Sequence, residues 1–147
     1  MKAWVQRVSE ASVTVEGEAL SSIGEGYLVL LGVTHGDTPE AADRMVRRIC
    51  DIRIFADDAG KINRSLVDVG GSVIVVSQFT LYADTAHGRR PGFGAAARPE
   101  LAEPLYERVV AGLRRELGEA RVGTGRFGAH MEVRLLNDGP FSVELLT

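Results

Sequence analysis

The residues that could do chemistry are few, and they fall in separate places along the chain. Ser77, Gln78 and Thr80 put hydroxyls and an amide directly after the apolar run Ser72 to Val76. A rigid scaffold can hold such groups, together with main-chain N–H groups, in fixed directions. The same residue types also serve only to satisfy nearby backbone groups, and local sequence leaves both readings open. Gly139-Pro140 is the second place. An X-proline bond can be cis at small cost, which turns the flanking carbonyls where an ordinary turn cannot; a plain hairpin turn is the alternative. The third is His87-Gly88-Arg89-Arg90, a basic cluster suited to phosphates or simply to water.

Other chemistries lack their residues. The single Cys50 permits neither an internal disulfide nor a multi-cysteine zinc site, and His35, His87 and His130 are scattered, so no metal and no cofactor is expected. Cys50 falls on the apolar face of an expected helix and reads as packing, not as a reactive thiol. Gly123, Gly125 and Gly128 match the dinucleotide-binding spacing, but the following AHMEVRLL alternates like a strand where that motif needs a helix. A glycine-rich turn approached closely by another backbone is the better expectation there. Phosphate-loop, His-Glu-x-x-His and Gly-x-Ser-x-Gly patterns are all missing.

The 17 Lys+Arg and 20 Asp+Glu give a net charge of -3, which argues against coating nucleic acid by bulk attraction yet leaves room for a local basic patch. No apolar stretch approaches the ~20 residues that span a bilayer, and MKAWVQRVSE does not read as a secretory signal. A cytoplasmic protein without a membrane partner is expected.

These groups must be held by a frame, and 147 residues, 45% of them hydrophobic, suit a single domain over residues 1–147. A chain of this length buries roughly 70% of its unfolded surface. Lys2 to Val15 alternates as a strand with a turn or bulge near Glu10, Glu16-Gly17-Glu18 turns, and Ala19 to Ile23 returns. Tyr27 to Val33 is apolar throughout, as a strand covered on both faces would be. Thr38, Pro39 and Glu40 mark a helix start, with Ala42, Met45, Val46, Ile49 and Cys50 on its buried face. A short strand around Ile52 to Phe55 precedes the turn at Asp57 to Gly60, and Ser72 to Val76 is another strand. After a loop from Asp84 to Pro99, Leu101, Leu105, Val109, Leu113 and Leu117 define a second helix ending at Gly118; Pro104 places its start near Glu103. Met131 to Leu136 and Phe141 to Leu146 read as two closing strands separated by a turn. The pattern predicts an α/β or α+β fold: mixed β-sheets packed as a sandwich, with two main helices on one side. Strand order does not follow from it.

Taken together, SQFTL (Ser77 to Leu81) and NDGPF (Asn137 to Phe141), with QRV (Gln6 to Val8), LLGV (Leu30 to Val33), LYADT-x-x-GRRP (Leu81 to Pro91) and TGRFGA (Thr124 to Ala129), resemble the D-aminoacyl-tRNA deacylase family, also known as D-tyrosyl-tRNA deacylase. The resemblance runs in order from end to end, departing at Phe141, where many relatives carry a smaller aliphatic, and at Gly92 and Gly94. It implies hydrolysis of the ester joining a D-amino acid, or glycine, to the terminal adenosine of tRNA, with rejection of L-amino acids. Ser77, Gln78 and the main-chain N–H groups of Phe79 and Thr80 would hold the adenosine and the ester carbonyl, the Thr80 hydroxyl being either a nucleophile or a positioning group. Gly139 and Pro140, joined by a cis bond, would enter a partner subunit's pocket as a chirality filter supported by Arg7 and Asn137, which requires a homodimer. Arg89 and Arg90 would contact tRNA, and no DNA partner is implied. A noncatalytic RNA-binding or subunit-interaction module using the same basic loop is the other class, but such a module needs neither SQFT nor NDGP.

Overall fold

A computed structural model describes residues 1–147. Its strands are β1 (Lys2–Val15), β2 (Glu18–Ile23), β3 (Gly26–Gly32), β4 (Arg53–Ala56), β5 (Ile62–Ser65), β6 (Ser72–Ser77), β7 (Val122–Thr124) and β8 (Glu132–Leu146), and its helices are α1 (Pro39–Asp51) and α2 (Pro99–Leu117). Strand β1 organises the sheet. One of its edges pairs antiparallel with β3 over Lys2 to Val8 and with β2 over Ala11 to Val15; the other pairs with β8 over Lys2 to Thr14. Strand β3 then pairs parallel with β6, and β6 parallel with β7. Where β7 returns to β2, the Ser21 hydroxyl donates to the Thr124 carbonyl (2.6 Å) and accepts from the Thr124 N–H (2.9 Å). The expected mixed sheet is therefore a single one, curled until it nearly closes as a barrel, with β4 and β5 as a separate hairpin.

Each central strand feeds two cores, because successive side chains point to opposite faces. Leu28, Ile74 and Val76 meet Val8, Ala11 and Val13 inside the curl. Tyr27, Val29, Leu31, Val73 and Val75 face outward, where Met45, Ile49, Val109 and Leu113 of the two helices cover them. That double coverage is why β3 reads as an unbroken apolar run. In β1 plain alternation puts Val5 and Val8 on opposite faces, but Val8 and Ala11 share the inner one, so the alternation breaks between them, where the pairing with β8 shifts register between Val8 and Glu10.

Helix α1 begins as expected, with Pro39 at the first turn and the Thr38 hydroxyl accepting from the Ala41 N–H. Cys50 packs in the core, and burial pushes its thiol up to about 11. Helix α2 corrects the expected boundary. It starts at Pro99, not near Glu103, and carries Pro104 inside it. Pro104 and Glu100 are both exposed, so water can take the carbonyl that the proline leaves unbonded. Leu101 is exposed as well, and Ala102, Leu105 and Tyr106 bury the first turns instead.

The chain's end brings the larger correction. Residues 132–146 form one strand, not two strands around a turn, because both halves pair with the same β1. The glycine-rich segment after α2 also differs from expectation: Gly123 lies within β7, and the group crowding it is the Ser21 side chain, 2.9 Å from where a Cβ would stand.

The helices cross at Gly112, where an added Cβ would lie 2.6 Å from Val46 Cγ2. Gly112→Ala gains helix propensity but overpacks this crossing. Urea denaturation should show a net loss of about 1 kcal/mol for Gly112→Ala, set by these opposed effects. In a Val46→Ala background the same substitution should stabilise the protein.

Candidate active site

Strand β6 is parallel to its neighbours and ends at Ser77, so the polar run Ser77 to Thr80 leaves the sheet at the carboxyl end of parallel strands, a recurrent place for ligands. The Gln78 N–H donates to the Leu31 carbonyl (2.8 Å), which ties the exit to β3. A short 3₁₀ turn, Phe79–Tyr82, follows. The N–H groups of Phe79 and Thr80, at its start, have no partner inside the turn. They are candidate donors to an oxyanion.

Beside this exit lies a cleft of about 610 Å³. Ser77, Gln78 and Phe79 form one wall, Leu31 of β3 and Val33 just after it the floor, and Ala102 and Tyr106 of α2 another side. Phe93, Ala96 to Pro99 and Phe127 to Met131 also line it. The volume falls within the ~300–1,000 Å³ of small-molecule sites. Tyr106 donates its hydroxyl to the Val75 carbonyl (2.9 Å), anchoring α2 to β6 behind the cleft, and burial pushes its pKa up to about 12. Thr80 stands off the wall on the exposed turn, with its hydroxyl accepting from the Gln78 side-chain amide. No cluster of three His, Cys, Asp or Glu side chains able to hold a metal is assembled in the chain.

Gly139 and Pro140 are elsewhere. Gln6 pairs with Ser142 and Val8 with Asn137, so Asp138 to Phe141 are all opposite Arg7 and bulge from β8. The Gly139–Pro140 bond is cis, and both residues are exposed. Arg7 holds this bulge. Its Nε donates to the Asp138 carbonyl (3.0 Å) and pairs with the Asp138 carboxylate (3.1 Å), while Nη1 donates to the Ile54 carbonyl (2.6 Å). The guanidinium carbon lies 4.9 Å from the centroid of the Phe141 ring, so the aromatic residue at this position gives the cation a face to rest on. Asn137 closes the base of the bulge: its Oδ1 accepts from the Phe141 N–H (2.7 Å) and its Nδ2 donates to the Ser142 hydroxyl (3.1 Å).

Within one chain, the bulge and the cleft are separate. Ser77 pairs with Leu31, which pairs with Ala3, whereas the bulge lies opposite Arg7. Laid flat, that is about 13 Å along the strands, and the three steps from β8 to β6 add about 14 Å across them. Neither Gly139 nor Pro140 lines the cleft.

Arg89 and Arg90 are exposed on the loop before α2 and form no ion pair. The loop is pinned by reciprocal Asp84–Gly92 backbone bonds (2.7 and 2.8 Å), by Thr34 Oγ1 donating to the Ala95 carbonyl (2.6 Å), and by a hydrogen bond of 2.9 Å between His35 Nε2 and the Gly94 carbonyl. Sequence reasoning misses Arg98 and His130, the only basic residues lining the cleft, and also Phe93, Phe127 and Met131. TGRFGA contains Phe127, but no spacing rule links it to Ser77; only the curl of the sheet brings them together.

The D-Tyr-tRNA(Tyr) deacylase family matches this chain over residues 4–146. The D-aminoacyl-tRNA deacylase of Symbiobacterium thermophilum is 56% identical over 143 residues, covering 97% of this chain and 93% of that protein. That of Roseiflexus castenholzii is 57% identical over 145 residues, covering 99% and 91%. Among solved structures, one named c-Myc DNA Unwinding Element Binding Protein is similar at TM-score 0.94 and 42% identity, over 100% of this chain and 99% of that one. A probable eukaryotic D-amino acid tRNA deacylase shares the fold at TM-score 0.84 and 20% identity, over 98% and 97%.

Removing the Arg7 guanidinium leaves the Ile54 and Asp138 carbonyls without their donor. Arg7→Ala should cost roughly 1–3 kcal/mol in urea denaturation, the cost of stranding such groups. Arg7→Lys, which keeps the charge and loses the fork, should recover only part of it.

Proposed function

This chain belongs to the D-Tyr-tRNA(Tyr) deacylase family and is a D-aminoacyl-tRNA deacylase, a hydrolase, and from that premise we propose that it works as a homodimer whose sites are each built from two chains. In this reading the terminal adenosine of the tRNA enters the cleft beside Ser77 and Gln78. The N–H groups of Phe79 and Thr80 bind the ester carbonyl as it gains negative charge. An aminoacyl ester is already activated, so positioning and oxyanion stabilisation can supply much of the rate without a side-chain nucleophile. Attack by water breaks the acyl–oxygen bond and releases free amino acid and tRNA, with the 2′-hydroxyl of the terminal ribose assisting. Thr80 positions rather than attacks. Its hydroxyl is already engaged by Gln78, and an unassisted threonine is a weak nucleophile at neutral pH.

Gly139 and Pro140 of one subunit enter the partner's cleft, hold the α-amino group of the substrate and leave no space for an L side chain. The observation that carries this reading is their placement: they project, exposed and clamped by Arg7, from a strand too far from Ser77 to serve the same chain's cleft. Strand β8 adds support, because it pairs only with β1 and leaves an open edge with Leu135, Leu136 and Leu146 exposed along it. An open edge carrying exposed apolar side chains calls for a cover. Glycine has only hydrogen at the contested position, so glycyl-tRNA, including glycine mischarged on alanine tRNA, is also a substrate. Arg89 and Arg90 contact tRNA phosphates, and DNA is not a partner. No helix is long and apolar enough to cross a membrane. Work on tRNA assigns the protein to the cytoplasm and to chirality proofreading in translation.

Deacylation of D- and L-tyrosyl-tRNA, assayed side by side in a chelator, tests the reading. Hydrolysis of the D form and of glycyl-tRNA is expected, and appreciable hydrolysis of the L form overturns the filter. RNA retention without any hydrolysis would favour the noncatalytic module. Thr80→Ala should retain most activity; complete loss with intact fold and tRNA binding makes Thr80 the nucleophile. Size-exclusion chromatography with light scattering should give twice the chain mass, and a fully active monomer defeats the two-chain site.

A further inference from the structure

Two aromatic rings that line the cleft stay exposed instead of joining the core. Phe79 is 56% exposed and Phe93 40% exposed, and their centroids are 4.9 Å apart at an interplanar angle of 68°. An edge-to-face pair of this kind leaves ring surface open. The backbone on both sides of Phe93 is nevertheless fixed by the Asp84–Gly92 bonds and by the Thr34 and His35 contacts to Ala95 and Gly94. Its neighbours are glycines: a Cβ at Gly94 would meet nothing within 4 Å, and one at Gly92 would meet nothing nearer than 3.8 Å. The loop thus holds a large apolar ring in place, in water, and keeps its flanks clear. The same loop carries the unpaired Arg89 and Arg90, and Arg98 lies on the cleft wall beyond it.

We propose that Phe93, paired with Phe79, is the platform on which the base preceding the terminal adenosine stacks, with Arg98 facing the phosphate that joins the two nucleotides. The proposal rests on the reading that the cleft takes the terminal adenosine. Single-stranded nucleic acid is gripped elsewhere by this combination of aromatic faces with basic groups, and stacking tolerates any base. Charge favours a nucleic acid over an apolar protein segment as the occupant, since Arg98 on the cleft wall and Arg89 and Arg90 on the loop that carries Phe93 form no ion pair. Such a platform would favour a substrate that is the end of an RNA strand over a free aminoacyl-adenosine. It makes Phe93 a positioning residue, not a catalytic one.

The test compares D-tyrosyl-adenosine with D-tyrosyl-cytidylyl-adenosine, which differ by the nucleotide in question. The wild type should show a KM about tenfold lower for the longer substrate, the gain expected from one stacked base, at similar kcat. Phe93→Leu, which keeps apolar bulk without an aromatic face, should lose that gain; Phe93→Tyr should keep it. Absence of a gain in the wild type, its retention in Phe93→Leu, or an equal loss on both substrates overturns the proposal. A lower dimer mass for Phe93→Leu by light scattering, with the length preference intact, would assign the rings to subunit contact instead. Calorimetric binding of uncharged cytidylyl-adenosine against adenosine gives the same comparison without the chemical step. A protein that deacylates neither ester would refute the proposed function while still reporting on the platform.

Discussion

Both halves of β8 pair with one 14-residue strand, β1, and between Gln6 and Val8 that strand has only Arg7 to set against Asp138, Gly139, Pro140 and Phe141. The surplus has to leave the sheet. What keeps it from fraying is the Arg7 fork, which uses charge-assisted hydrogen bonds to join the bulge to the Ile54 carbonyl of the neighbouring hairpin. Asn137 repeats the logic on the other side by bonding across the bulge to Phe141 and Ser142. A segment without regular pairing is thereby presented as rigidly as the strand that carries it.

The other end of the sheet is built by a different constraint. β3 and β6 run parallel and are buried on both faces, so their exits are fixed to within the tolerance of a packed core. Ser77 and Gln78 inherit that precision, as do the first N–H groups of the turn that follows. The helices contribute the remaining wall, and their spacing depends on Gly112 accepting Val46 at a distance no side chain could tolerate. Backbone groups on a stiff frame can do the work that a short chain with a single cysteine and scattered histidines could not assign to side chains.

Much of this was legible before folding. The Thr38-Pro39-Glu40 start of α1, the doubly covered β3, the apolar strand β6 and the shift of apolar parity in β1 all follow from local capping, proline geometry and hydrophobic patterning. The misreadings share a cause. Asn137 to Pro140 has turn chemistry, and turn chemistry normally reverses a chain; here β1 is long enough to pair on both sides of it, so direction is kept. Pro104 signals a helix boundary, and α2 overrides it because one missing bond on a solvent face costs less than giving up the burial of Ala102.

Which residues are equipped for the chemistry, and the order in which they come, are properties of the chain before it folds: SQFT, the basic loop, TGRFGA and NDGP, with Arg7 far ahead of the bulge it supports. The element types belong with them, because propensity, capping and periodicity are local. Folding alone brought Arg98, His130, Phe93 and Phe127 into one cleft with Ser77, and kept Gly139 and Pro140 out of it. Strand order and curl set these distances, and they arise from pairings between residues widely separated in the chain, on which local patterning carries no information.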